Sequence, residues 1–151
     1  MGLTGAGVAL VTAGTDAPMT AAEGGWWTIA TPDQLGDYGF RLDDDDTVRP
    51  DPRSRWQPAG VDGPTRPFDP AEYEWGDAAW TGRRLAGSVV YELHLGTFTP
   101  EGTLDAAIER LDALVAIGVD LVELMPLAAF PGDWGWGYDG VALYAVHDRS
   151  G

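Results

Sequence analysis

Cysteine, lysine and asparagine are all missing from this 151-residue chain. Without cysteine there can be no disulfide and no thiolate-bound metal, and a reducing compartment is permitted. Without lysine, all nine basic side chains are arginine, which we read as genome composition rather than a demand for guanidinium chemistry. Long apolar runs are missing too, and nothing approaches the roughly 20 residues of a membrane span. The run from Val8 to Ala13 is shorter than the core of a secretory leader and has no basic residue before it, the first being Arg41. Ala6 stands where an N-myristoylation motif needs Ser or Thr. These absences predict a cytoplasmic protein. Positive charge is scarce: the net charge is -15 and the pI near 4.1, so nucleic acid and anionic membranes are excluded as partners by repulsion. An uncharged ligand such as a sugar fits better.

What is present organises itself around Val89-Val90-Tyr91-Glu92-Leu93-His94-Leu95. Beyond it, Leu104, Ala107, Ile108, Leu111, Leu114 and Val115 recur at helical spacing and predict one apolar stripe. Thr103 is placed to cap the start and Gly118 the end, and Asp105 suits the positive end of the helix dipole. Leu121, Val122, Leu124 and Met125 then form the short continuous run of a strand buried on both faces. About two dozen residues between the runs allow a right-handed crossover and exclude a hairpin. The prediction is strand, helix, strand, with the strands parallel.

Residues Tyr91 to Thr103 (YELHLGTFTPEGT), Val122 to Gly132 (VELMPLAAFPG) and Trp136 to Val141 (WGYDGV) resemble the opening of the barrel in the malto-oligosyltrehalose trehalohydrolases, members of the α-amylase family of glycoside hydrolases. The segment Asp51 to Val61 (DPRSRWQPAGV) resembles that group more narrowly than the branching and debranching relatives. The resemblance runs from about Pro18 to His147. It implies a mixed fold: an N-terminal immunoglobulin-like β-sandwich, then a (β/α)8 TIM barrel. It also implies cleavage of the α-1,4 bond of maltooligosyl trehalose to release trehalose, by double displacement and with no cofactor.

The residues themselves divide the chain three ways. Residues 1–48 read as short strands: Val8 and Leu10 alternate with Ala9 and Val11, Trp26-Trp27-Thr28-Ile29 follows a glycine pair, and Tyr38, Phe40 and Leu42 share a face. The family's usual first strand has no match here. Asp43 to Asp46 reads as a solvated hairpin tip, since consecutive aspartates diverge and do not make a calcium loop. Residues 49–87 form a proline-rich connector, with Pro50, Pro52, Pro58, Pro64, Pro67 and Pro70 excluding helix. Trp56, Phe68, Trp75 and Trp80 give it either anchors against the barrel or a sugar-stacking surface. Residues 88–151 are expected to begin the barrel, with strand 1, helix 1, strand 2 and the loop that follows.

In such a barrel the site lies at the C-terminal ends of the strands. The loop from Phe130 to Gly140 is the richest there, with Trp134, Trp136 and Tyr138 among four glycines; flat rings stack on pyranose C–H faces and glycines let backbone approach. By resemblance, Tyr138 matches the tyrosine under the sugar next to the cleaved bond. The candidate substrate-binding residues are Tyr138, Asp139, Trp136 and His94, with a loop that merely covers the barrel mouth as the alternative. His94 either lines the pocket or is a satisfied interior histidine. No metal is expected, because His94 and His147 have no ligand spacing with carboxylates. Glu92 and Glu123 sit within apolar strands and are expected to pair with arginine or backbone N–H groups rather than to act as acids.

A retaining glycosidase of this kind needs two carboxyl groups about 5–5.5 Å apart. In the family these come from later strands, and no residue here matches them, so no catalytic residue is assigned. A whole barrel takes about 250 residues. The sequence therefore reads as an N-terminal fragment, inactive alone and poorly covered, with a separate C-terminal part as a possible complement. An α-glucan-binding module without catalysis, or a piece of a branching enzyme, is the alternative.

Overall fold

The computed structural model describes residues 7–32 and 34–150. The myristoylation reading at Met1 to Ala6 lies outside them. A four-stranded antiparallel sheet in the order β2-β1-β5-β6 is built from β1 (Val8–Thr12), β2 (Thr15–Pro18), β5 (Tyr38–Leu42) and β6 (Val48–Arg49). A separate two-stranded ribbon pairs β3 (Thr20–Ala21) with β4 (Trp27–Thr28). Of the expected sandwich, the described residues thus contain one sheet and a small ribbon.

Thr12 pairs with Thr15, so β1 and β2 are joined by Ala13 and Gly14 alone, at φ 46° and 78°. Two positive φ values define the mirror-image turn whose twist suits a hairpin, and Gly14 adopts it freely while Ala13 is strained. As the alternation predicts, Tyr38 and Phe40 lie on one face of β5, their rings edge to face at 5.7 Å.

The aspartate run forms the predicted exposed hairpin tip, and local contacts also order it. Asp43 accepts from the Gly7 N–H at 2.7 Å, Asp45 pairs with Arg49 and accepts from Thr47 N–H at 2.9 Å, and Arg41 donates to the Asp46 carbonyl at 2.6 Å. Short Asp side chains bond the local backbone readily, and this turn uses that capacity. Asp43, Asp44 and Asp46 are exposed in the turn between β5 and β6, as predicted, and only Asp45 is half-buried.

The connector is ordered by polar contacts rather than aromatic anchors. Thr65 and Tyr38 exchange two backbone hydrogen bonds of 2.7 and 2.8 Å, the Thr65 hydroxyl accepts from Asp51 N–H, and the Tyr38 hydroxyl donates to Asp51 at 2.8 Å. Burial, then that bond, pushes the Tyr38 hydroxyl pKa well above its ordinary value. Arg66 makes a two-pronged pair with Asp37 at 2.7 and 2.8 Å and lies over the Trp56 ring. Phe68, Tyr73, Trp75 and Trp80 stay exposed, Trp80 at 72%. The connector instead reaches the C-terminal part through Val61, which packs with Ala129, Ala142 and Ala145. Gln57 is buried beside it, and neither polar atom of its side chain has a hydrogen-bond partner.

The second part contains the predicted strand–helix–strand. β7 (Val90–Leu93) and β8 (Leu121–Leu124) pair in parallel, Val90 opposite Leu121 and Leu93 opposite Leu124. Between them lie a one-turn helix α1 (Leu95–Phe98) and the crossover helices α2 (Leu104–Ile108) and α3 (Leu111–Ala116). Thr103 caps α2 by accepting from Ala106 N–H, as predicted. Gly118, at φ 89°, ends α3: its N–H bonds to Val115 and that of Val119 to Leu114, the double bond of a glycine helix stop.

Two expectations fail here. The crossover helix is broken at Arg110, whose N–H bonds to the Ala107 carbonyl three residues back. A short helix relies on covering its apolar stripe, and only Ala107 and Leu114 are covered, while Ile108 and Val115 are exposed. Nor is β8 buried on both faces; with one neighbouring strand, Val122 and Leu124 remain exposed, which is the poor cover the sequence predicts for this part on its own. After β8 the chain forms β9 (Ala128–Ala129), paired antiparallel with β10 (Ala142–Val146). A cluster of Leu93, Leu95 and Ala107, with Phe98, Leu104 and Leu127 against it, forms the core under this unit. Among the described residues, no helix is long and apolar enough to cross a membrane.

Three outcomes are expected. Ala13→Asn, which tolerates positive φ, should raise unfolding free energy by about 1 kcal/mol in urea titration. Gln57→Leu should be neutral or stabilising, by up to about 1 kcal/mol in the same assay, because it removes two unpaired buried polar atoms. The Arg66 guanidinium holds the Asp37 carboxyl below its ordinary pKa. A lowered folded-state pKa gives stability that is present above the unfolded value and lost as pH falls. The melting temperature of the native chain should therefore drop more than that of Asp37→Asn on going from neutral pH to below about 4.

Candidate functional site

Parallel pairing sends the chain out of β7 and out of β8 at the same end of the sheet, and so brings two distant loops together. His94 follows β7 directly, and Trp136 lies in the loop after β9; their rings are 5.5 Å apart and tilted by 45°. His94 Nε2 lies 2.9 Å from the Gly135 carbonyl oxygen and Nδ1 3.0 Å from the Thr97 hydroxyl. His94 is thus half-buried and satisfied, and it also lines a cavity of about 160 Å3 together with Glu101, Phe130, Asp133 and Trp134. The two readings of His94 describe one position.

The loop carrying the aromatic residues is bent by its glycines. Gly137, at φ 86°, is buried, and a Cβ there would overlap the Pro126 carbonyl oxygen. Gly135 lies close against the Phe130 ring. The backbone is thereby folded tightly enough to turn its rings outward: Trp134 is 84% exposed, Trp136 70% and Tyr138 67%. Exposed, flat rings on a shaped backbone can stack on sugar faces.

Of the four residues singled out, His94 and Trp136 are brought together. Tyr138 and Asp139 stand exposed beyond Gly137 and outside the lining of the cavity beside His94. Two residues that the sequence reading did not place contribute to the loop. His147 Nε2 lies 2.9 Å from the Gly132 carbonyl oxygen, and its ring stacks on Phe130 at 4.2 Å. Arg149 forms an ion pair with Asp133 at 3.3 Å and lies over the Trp134 ring at 5.2 Å. His147 was visible as one of two histidines, but it was weighed only as a metal ligand.

Glu92 and Glu123 do not pair as expected. They are register partners on β7 and β8, both exposed, and no ion pair holds either among the described residues. The open sheet face leaves them solvated, so no counter-charge is required. No group of three or more metal-ligating side chains is found among the described residues.

No family model matches the chain. It is 56% identical over 138 residues to the malto-oligosyltrehalose trehalohydrolase of Arthrobacter ramosus, covering 89% of this chain and 24% of that one. With the enzyme of the same name from Rhizobium sp. strain M-11 it shares 54% over 132 residues, covering 86% and 22%. A crystal structure of a protein from Salmonella typhimurium assigned as an alpha amylase superposes with TM-score 0.87 at 48% identity, over 96% of this chain and 25% of that one. A pullulanase from Anoxybacillus sp. LM18-11 complexed with maltotetraose superposes with TM-score 0.75 at 22% identity, covering 95% and 26%, which shows a shared fold. The chain belongs to the malto-oligosyltrehalose trehalohydrolase family, among the α-amylase-family glycosidases, and spans about a quarter of the length of the curated relatives it matches.

Proposed function

We propose that the chain is the N-terminal part of a glycosidase that cleaves the α-1,4 bond of maltooligosyl trehalose and releases trehalose, and that its own contribution is to hold the glucan. The observation that carries this reading is the tightly folded loop after β9, which presents Trp134, Trp136 and Tyr138 outward beside His94. In this reading Tyr138 and Trp136 stack on glucose rings, and Asp139 and His94 contact hydroxyls or shape the pocket. β7, the crossover helices and β8 are the start of a (β/α)8 barrel, and residues 1–48, 49–87 and 88–151 are respectively sandwich, connector and barrel. No cofactor is required, and the protein is placed in the cytoplasm.

Cleavage by double displacement needs a nucleophile and an acid that no residue of this chain has been assigned. The chain alone is accordingly inactive in this reading. Catalysis would need a further part of the barrel, docked where β7 and β8 leave Val90, Tyr91, Val122 and Leu124 exposed. A second reading, a non-catalytic α-glucan-binding module, is favoured by the exposed Tyr73 and Trp75, whose rings meet edge to face at 4.9 Å.

Calorimetric titration of the chain with maltotetraose separates these readings. Trp136→Ala and Tyr138→Ala should each weaken binding by about tenfold, the value of one lost ring stack, while Trp75→Ala changes nothing; incubated separately with maltooligosyl trehalose, the chain alone should release no trehalose. Unchanged affinity in both loop variants would refute the proposed site, and a loss in Trp75→Ala alone would favour the module.

A further inference from the structure

The only two histidines of the chain both reach backbone carbonyls of the same loop. His94, at the end of β7, reaches the Gly135 carbonyl oxygen at 2.9 Å, and His147, just past β10, reaches the Gly132 carbonyl oxygen at 2.9 Å. A carbonyl only accepts, so both rings carry their proton on Nε2. Nδ1 of His147 accepts from the Arg149 backbone N–H at 3.4 Å, and Nδ1 of His94 lies 3.0 Å from the Thr97 hydroxyl, whose hydrogen points to the His94 carbonyl oxygen at 3.3 Å. Each imidazole is therefore held with its Nε2–H on a loop carbonyl and its Nδ1 against a polar group behind it.

We propose that His94 and His147 are a pair of positioning residues that fix the shape of the loop from Gly132 to Gly137. Each ring also touches an aromatic residue of this region, His94 against Trp136 at 5.5 Å and His147 stacked on Phe130 at 4.2 Å. Arg149 adds a third hold through Asp133 and Trp134. The loop has little other reason to keep one conformation: Gly132, Gly135 and Gly137 make it permissive, and Trp134 and Trp136 are too exposed to anchor it. A binding surface loses affinity to the entropy of ordering, and a loop already fixed at two carbonyls avoids that loss. The link to affinity rests on the glucan reading above. The clamp itself does not.

The test uses the 151-residue chain, first without any glucan. Nitrogen-15 NMR should show a protonated Nε2 on both rings and a bare Nδ1 on His147. His94→Phe and His147→Phe keep the flat ring and lose the donor, and the heteronuclear NOE of residues 132–137 should fall from rigid to loop values. His94→Gln and His147→Gln return an amide donor near the Nε2 position and should restore most of it. Maltotetraose affinity should fall at least fivefold in the Phe variants and recover in the Gln variants. The proposal is overturned if either ring is the Nδ1–H tautomer, or if the loop stays rigid in both Phe variants. A native chain with both tautomers and a rigid loop but no maltotetraose affinity supports the clamp and overturns the glucan reading alone.

Discussion

The parallel register of β7 and β8 is the constraint on which the rest of the C-terminal half depends. Parallel strands cannot be joined by a turn, so α2 and α3 must carry the chain back to the end where β7 began, and β8 then finishes beside the end of β7. That return places the segment after β7 and the segment after β8 side by side, and only then can His94 touch Trp136 across 42 residues of sequence. The crossing is secured at both ends by local chemistry: Thr103 begins it, and Gly118 and Val119 end it with backbone bonds to Val115 and Leu114. At the start of the sheet, Val89 and Asp120 exchange bonds between backbone and side chain, and Asp120 also pairs with Arg83. The register is set by these polar contacts as much as by the apolar run that it aligns.

The two halves achieve order in different ways. Around Leu93, Leu95 and Ala107 there is a small apolar core, whereas the N-terminal sheet and connector lean on ion pairs and shared hydrogen bonds at Asp16–Arg41, Asp37–Arg66 and Asp51–Tyr38. This accords with a chain of net charge -15 in which every positive group is an arginine, since the planar guanidinium can hold one carboxylate with two bonds or lie on an aromatic face. Such contacts are partly exposed and individually modest. They fix direction more than they add stability.

Legibility in the sequence followed the range of the interaction. The strand–helix–strand unit was readable because periodicity, the Thr103 cap and the Gly118 stop are all local signals. Two-residue strands such as β3 and β6 carry no period and left no trace. The break at Arg110 was invisible because the apolar stripe from Leu104 to Val115 keeps one helical period across it, although the poor cover of Ile108 and Val115 was expected. In the connector, large aromatics suggested anchoring, but its order comes from Asp51, Ser54 and Thr65, whose partners cannot be read from composition. At the site, His94 and Trp136 were named from local character and do meet. His147 and Arg149 escaped because their roles depend on where β10 returns the chain.

Glu92 and Glu123 stand opposite one another on a face of β7 and β8 that water now reaches. Two neighbouring carboxylates are tolerable only while something polar surrounds them. Any layer that came to rest on this face would have to bring guanidinium groups, free backbone N–H groups or trapped water into register with both side chains. A purely greasy cover would be rejected, or would force one of the pair to take up a proton. The sheet thus carries, in two residues, a chemical specification for whatever is allowed to lie across it.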